Sequence, residues 1–141
     1  MLVRLLYASR AVDANIGHTV QAILQASRSH NPENGLTGVL CHTDTVFIQV
    51  LEGGRDAVNT LYGHILRDPR HRDVILLDYE EITQRRYGGW TMGQANISKL
   101  NPATLLKYSP LPILDPHGMP GKMMLALIDE LMATAAIVGR A

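Results

Sequence analysis

Apolar residues alternate with a period of two over residues 2–9: Val3, Leu5, Tyr7 and Ser9 share one face, and Leu2, Arg4, Leu6 and Ala8 the other. That period belongs to a strand. Ile16, Val20, Ile23, Leu24 and Ser27 then recur at helical spacing, with Asp13 or Asn15 placed to cap the helix. Residues 30–35 read as a loop, because Pro32 disfavours the helical region for Asn31 and Asn34-Gly35 supplies a turn. Strands are predicted at 36–42 and 46–51, joined by Thr43, Asp44 and Thr45. A second helix starts after Gly53-Gly54, carries Val58, Leu61, Tyr62 and Ile65 on one stripe, and ends at Pro69. Residues 74–82 predict a fourth strand and 91–97 a short fifth.

This order, β-α-β-β-α-β with an extra strand, is an α+β arrangement of the ferredoxin-like kind, with two helices on one face of the sheet. The strands are apolar on both faces, so the second face also needs a cover. Helices expected at 103–108 and 121–139 are the candidates. The chain therefore divides into a sheet domain, 1–97, and a C-terminal helical extension, 98–141, packed on the sheet. On the longer helix Met124, Leu127, Ile128, Leu131, Ala135 and Val138 form one arc. Leu125 and Met132 lie beside that arc, which makes the apolar surface wide enough to contact another chain, as a homo-oligomer or with an effector.

A length of 141 residues fits one compact unit with a real core. Lys plus Arg and Asp plus Glu both number 13, which argues against a dedicated binder of nucleic acid or anionic membrane. The single cysteine, Cys41, permits no internal disulfide and suits a reducing cytoplasm. The N-terminus opens straight into a strand pattern, without a secretory h-region, and no apolar run approaches the roughly 20 residues that span a bilayer. A cytoplasmic protein without membrane or nucleic-acid partners is expected.

Among polar residues, Gln49 stands out on a strand face shared with Phe47 and Leu51, and Tyr7 on one shared with Val3 and Leu5. Buried and unpaired, such groups would each cost about 1–3 kcal/mol. Either they satisfy each other or nearby backbone, or they line a polar ligand pocket under the helices with Asn31 at its mouth. The charged cluster Arg67, Asp68, Arg70, His71 and Arg72 reads as a solvated helix end or as a phosphate or ligand contact. Trp90 and Met92 share a strand parity and read as packing. The six histidines show no metal spacing. Gly35-Leu36-Thr37-Gly38 is better read as a turn and tight strand start than as a nucleic-acid loop, and Ser27, Asp44 and His71 make no triad. No catalytic and no metal-binding residue is expected.

Five segments in this order resemble the BLUF family, the sensors of blue light using FAD. They are Leu5-Leu6-Tyr7-Ala8-Ser9, the run Asn31-Pro32-Glu33-Asn34-Gly35-Leu36-Thr37-Gly38, Phe47-Ile48-Gln49-Val50-Leu51-Glu52-Gly53, Asp68-Pro69-Arg70-His71, and Trp90-Thr91-Met92-Gly93. The resemblance implies a bound FAD, with FMN as the other candidate. It implies that Tyr7 is the photoactive electron donor and Gln49 the amide between that tyrosine and the flavin. Asn31 would hold the pyrimidine end, Ile23 and Ile65 would sandwich the ring, and Ser27 would join them on the first helix. Asp68, Arg70 and His71 would make polar contacts, His64 stands where some members carry Arg, and Trp90 and Met92 would carry the signal on strand five. Tyrosine-to-flavin proton-coupled electron transfer would end in a rearranged glutamine hydrogen bond, and no substrate would be consumed.

Two other classes compete with the photosensor: a ferredoxin-like regulatory or oligomerisation module without a chromophore, and a flavin-dependent or acylphosphatase-like enzyme. An enzyme needs a substrate channel and an acid/base pair, and neither is legible. With no catalytic segment recognisable after residue 100, the expected output runs to a separate effector protein or through self-association.

Overall fold

The computed structural model describes residues 1–134 and Ile137. Five strands form one sheet: β1 (Leu2–Ala11), β2 (Thr37–His42), β3 (Val46–Gly54), β4 (His71–Ile82) and β5 (Gly93–Asn96), in spatial order β4-β1-β3-β2-β5. All neighbours are antiparallel except β2 and β5, which run parallel. Helices α1 (Ile16–Asn34) and α2 (Arg55–Arg67) cover one face. The short α3 (Pro102–Leu106) and the longer α4 (Gly121–Ala133) cover the other. This is the ferredoxin-like sheet with a fifth strand, and its strand alternation sorts the core in two. Val3, Leu5, Tyr7, Phe47 and Leu51 pack under α1 and α2, while Leu6, Ala8, Ile48 and Val50 pack under α4.

Four expectations need correction. First, α1 runs through Pro32 to Asn34. Asn31 is buried and its Nδ2 donates to the Thr91 carbonyl at 2.8 Å, and Gly35, at φ 64°, closes the helix by donating to the Asn31 and Pro32 carbonyls. A tertiary anchor and a left-handed cap thus outweigh the local cost of the residue before proline. Second, β4 begins at His71, so His71 and Arg72 belong to a strand and not to a helix end. Third, β5 begins at Gly93, which leaves Trp90 and Met92 in the segment before it. Fourth, Leu125 is buried in the core and Met132 packs against it, because Leu105, Leu114 and Met119 flank α4 and absorb its breadth. The described α4 ends at Ala133, and Ala135 and Val138 of the expected arc lie outside the described residues.

The edge strand β4 is twice out of step with β1. Leu6 pairs with Asp78 and Tyr7 with Leu76, which leaves Leu77 over; Ala8 pairs with Ile75 and Arg10 with Arg72, which sets Asp73 and Val74 against Ser9 alone. Each one-residue slip exchanges the faces of the sheet. Asp73 is the only non-glycine residue at positive φ, 53°, among the described residues. The C-terminal segment meets β4 at both irregularities. His117 Nε2 donates to the Asp73 carbonyl at 2.8 Å, and Gly121 lies so close to the Leu77 carbonyl that a side chain there would collide with it.

Candidate functional site

A partly open cavity of about 160 Å³ lies between α1, α2 and the sheet. A water in the liquid occupies about 30 Å³, so this is no packing defect. Thr19, Ile23 and Ser27 line it from α1, and Leu61, His64 and Ile65 from α2. The sheet contributes Tyr7, Phe47, Gln49 and His71, and Asp68 and Arg70 stand at the end of α2. Eight of the residues expected in the site, Tyr7, Ile23, Ser27, Gln49, Ile65, Asp68, Arg70 and His71, therefore meet at one cavity. Asn31, Trp90 and Met92 are not among its lining.

Tyr7 and Gln49 are cross-strand partners on β1 and β3, and the Tyr7 hydroxyl donates to Gln49 Oε1 at 2.5 Å. Both residues are buried. Burial pushes the Tyr7 phenol above its ordinary range; Tyr62, at 5.8 Å between ring centroids, and Asp68 push the same way, and Arg70 opposes them. Tyr7 is thus held as a neutral donor. With its oxygen engaged, the Gln49 amide turns its Nε2 to the Met92 sulfur at 3.4 Å. Glutamine has two distinguishable ends, and here one accepts from a phenol while the other makes a weak contact with a thioether. Exchange of the two ends is opposed mainly by the bond from Tyr7.

Asp68 and Arg70 form a forked pair: Arg70 Nε lies 3.0 Å from both carboxylate oxygens and a terminal nitrogen 2.6 Å from Oδ2. The guanidinium holds the Asp68 carboxyl below the usual carboxylate range, and Asp68 in turn raises Arg70. His71 spends both ring nitrogens on protein: Nδ1 is 2.7 Å from Ser9 Oγ and Nε2 is 2.6 Å from the Ile65 carbonyl. Apolar side walls, one polar end and a charged mouth suit a planar heteroaromatic ring with a polar tail, and so fit the expected flavin.

The segment before β5 joins this site to the opposite face. Met92 is buried with the core under α1 and α2, whereas Trp90 packs against the core under α4. The two residues face opposite ways because the chain here is not a strand. Thr91 O accepts from Asn31, Trp90 O accepts from Gly38 N at 3.1 Å, and the backbone N–H groups of Arg86 and Tyr87 each reach Glu52 at 2.8 Å. Tyr87 Oη donates to Asp129 on α4 at 2.9 Å, and Arg86 pairs with the same carboxylate at 2.9 Å. Glu52 also holds Arg4 at 2.9 Å, both side chains almost wholly buried. Sequence reasoning missed this pair. Arg4 and Glu52 carry opposite charge on strand positions whose neighbours are apolar, and that was the available signal.

No helix among the described residues is long and apolar enough to cross a membrane, and none of their side chains cluster as a metal site. The model of the family BLUF, "Sensors of blue-light using FAD", matches residues 2–93. The chain is 36% identical over 95 residues to the photoactivated adenylate cyclase subunit beta of Euglena gracilis, covering 67% of this chain and 11% of that protein. It is 30% identical over 88 residues to the blue light- and temperature-regulated antirepressor BluF of Escherichia coli (strain K12), covering 62% and 22%. This chain thus matches only about a tenth of the cyclase subunit's length and about a fifth of the antirepressor's. The dark-state structure of BlrB, a BLUF protein, superposes with a TM-score of 0.75 at 32% identity, covering 95% of this chain and 96% of that one. The photo-activated state of BlsA gives 0.84 at 26% identity, covering 100% and 99%.

Proposed function

This chain belongs to the BLUF family of blue-light flavin sensors, and on that premise we propose that it binds FAD in the Tyr7–Gln49 cavity and signals through a light-driven exchange of hydrogen bonds there. The observation that carries the reading is the 2.5 Å bond from Tyr7 to Gln49 on the floor of a cavity walled by two helices. A bound flavin would supply a strong oxidant in blue light. Tyr7 is the electron donor, and its proton leaves along the bond to Gln49 Oε1. Electron and proton would return to Tyr7, leaving the Gln49 amide with its other end turned to Tyr7, by rotation or tautomerisation, in a buried site where such bonds carry most energy. Ile23 and Ile65 sandwich the ring. Ser27, Asp68 and Arg70 would meet its edge and tail, with Asp68 fixing one edge of the Arg70 guanidinium and leaving Nη1 for a phosphate. His71 would pack against it, both ring nitrogens being held by Ser9 and Ile65, and Asn31, whose Nδ2 is held by Thr91, would offer only its Oδ1.

Residues 1–97 form the sensing module, and the segment 98–141 is its output. No substrate is turned over. The output passes to a separate effector protein or a second copy of the chain, and the apolar side chains offered to it are Leu106, Leu111 and Ile113, exposed by 52, 60 and 58%. Absorption spectra before and after blue light test the reading. The purified protein is expected to be yellow, to shift slightly to the red, and to return in darkness. Tyr7→Phe is expected to stay yellow and lose the shift. A colourless protein that cannot be reconstituted with flavin overturns it.

A further inference from the structure

Ser9 is completely buried, two residues beyond Tyr7 on the same strand face, and no part of the proposed photochemistry uses it. Its hydroxyl lies 2.7 Å from His71 Nδ1. The other ring nitrogen, Nε2, lies 2.6 Å from the Ile65 carbonyl, which can only accept. Nε2 therefore carries the proton, Nδ1 holds the lone pair, and the Ser9 hydroxyl donates to it. This chain of bonds ties β1 to the last turn of α2 through a residue of β4. It depends on the second slip of β4, since without the extra residue at Asp73 and Val74 the His71 side chain would point to the α4 face.

The imidazole is also a neighbour of the photoactive tyrosine. The two ring centroids lie 6.2 Å apart, edge to face. Freed of Ser9, the Nδ1 lone pair would make the imidazole a second base beside the phenol, which could reach the hydroxyl by turning about its side-chain bonds or through a water. We infer that Ser9 is a positioning residue which, by occupying the His71 lone pair, keeps the imidazole out of the photoreaction and sends the Tyr7 proton to Gln49 alone. The inference rests on the proposed photosensor reading. In that reading Tyr7 gives up an electron and passes its proton to Gln49 Oε1, both return to it before the red-shifted state is reached, and darkness reverses only the glutamine hydrogen bond. The groups that set the charge around His71 are Tyr7 on β1, Tyr62 and His64 on α2, and Asp68 and Arg70 after it; α1 and β3 contribute no titratable side chain to the cavity lining.

The test has two arms. In the first, nitrogen NMR of the histidine rings is recorded on flavin-free and flavin-loaded protein. The expected result is a protonated Nε2 and a hydrogen-bonded, unprotonated Nδ1 on His71, with Nδ1 losing that signature in Ser9→Ala and keeping it in Ser9→Thr. An Nδ1-protonated ring in the parent overturns the inference whatever the photochemistry. In the second arm, dark recovery after a blue pulse is followed between about pH 5 and 8, where histidine ordinarily titrates. The parent and Ser9→Thr are expected to give flat profiles. Ser9→Ala is expected to give a sloped one, changing several-fold across that range. A parent that photocycles while Ser9→Ala stays flat overturns this inference and leaves the sensor reading standing. A parent with no light-induced shift overturns both.

Discussion

Tyr87 and Asp129 share a 2.9 Å hydrogen bond that fastens the segment before β5 to α4. At its other end the same segment carries Met92, in contact with Gln49. A change in the Gln49 amide thus has a continuous route of packed and hydrogen-bonded groups to the far face of the sheet. Such a route transmits only if α4 holds differently in the two states.

Tyr87→Phe and Asp129→Asn are expected to leave the dark spectrum and the red shift intact. Each should reduce the light-dependent difference in hydrogen exchange along α4. The stability cost of Tyr87→Phe is expected to be about 1 kcal/mol, because the carboxylate it releases is partly solvated. Equal dark–light differences in parent and variants would remove this bond from the route.

Gln49→Leu is expected to keep the flavin and abolish the red shift. It leaves the buried Tyr7 hydroxyl without its partner, at a cost of about 1–3 kcal/mol that the better packing of leucine partly offsets. Denaturant titration measures the cost, and the difference spectrum shows whether the shift survives.

Glu52→Ala is expected to be far more damaging. It takes from buried Arg4 the more buried of its two carboxylate partners, leaving Glu80 at 3.0 Å, and removes the acceptor of two backbone N–H groups. Breaking one side of a buried pair costs about 3–5 kcal/mol. Chemical denaturation should show a loss of that size, and Glu52→Gln, which keeps an acceptor, a smaller one. A cost below about 1 kcal/mol would mean that the existing pair with Glu80 and water suffice for Arg4.

Most of the sheet was legible because half-buried strands must alternate, and Tyr7 and Gln49 were legible because they break that alternation. The irregular pieces were not. A slip in an edge strand leaves no periodic trace, so the inward aim of His71 could not be read from 71–82. Pro32 signals a helix end by its local sterics, but Asn31 is held by Thr91, 60 positions away. The parity of Trp90 and Met92 presupposed a strand, and the chain crosses from one core to the other between them.

Stability is expected to fall at alkaline pH. Burial pushes the Cys41 thiol from 9.0 up to about 12 and raises the phenols of Tyr7 and Tyr87 well above 10.0. Above pH 9 to 10 the unfolded chain sheds protons that the folded chain retains, so each further unit favours unfolding until the folded groups also ionise. Thermal unfolding between pH 8 and about 11 should show a steepening decline, and Cys41→Ala should remove the earliest part of it. A melting temperature that holds level over that interval would contradict the raised values.

The two places where β4 falls out of step carry a consequence for how the molecule behaves in a crowd. An exposed edge strand invites another chain to add itself to the sheet, and long regular edges seed aggregates. Here the backbone oxygens at the two irregular positions, Asp73 and Leu77, are covered by His117 and by the close approach of Gly121. An incoming strand meets a broken ladder at intervals of four residues and cannot run along it. The opposite edge, β5, is only four residues long. The C-terminal segment therefore does a second service beside covering a sheet face: it denies an incoming strand a continuous run along β4, the simplest route to fibres from that edge.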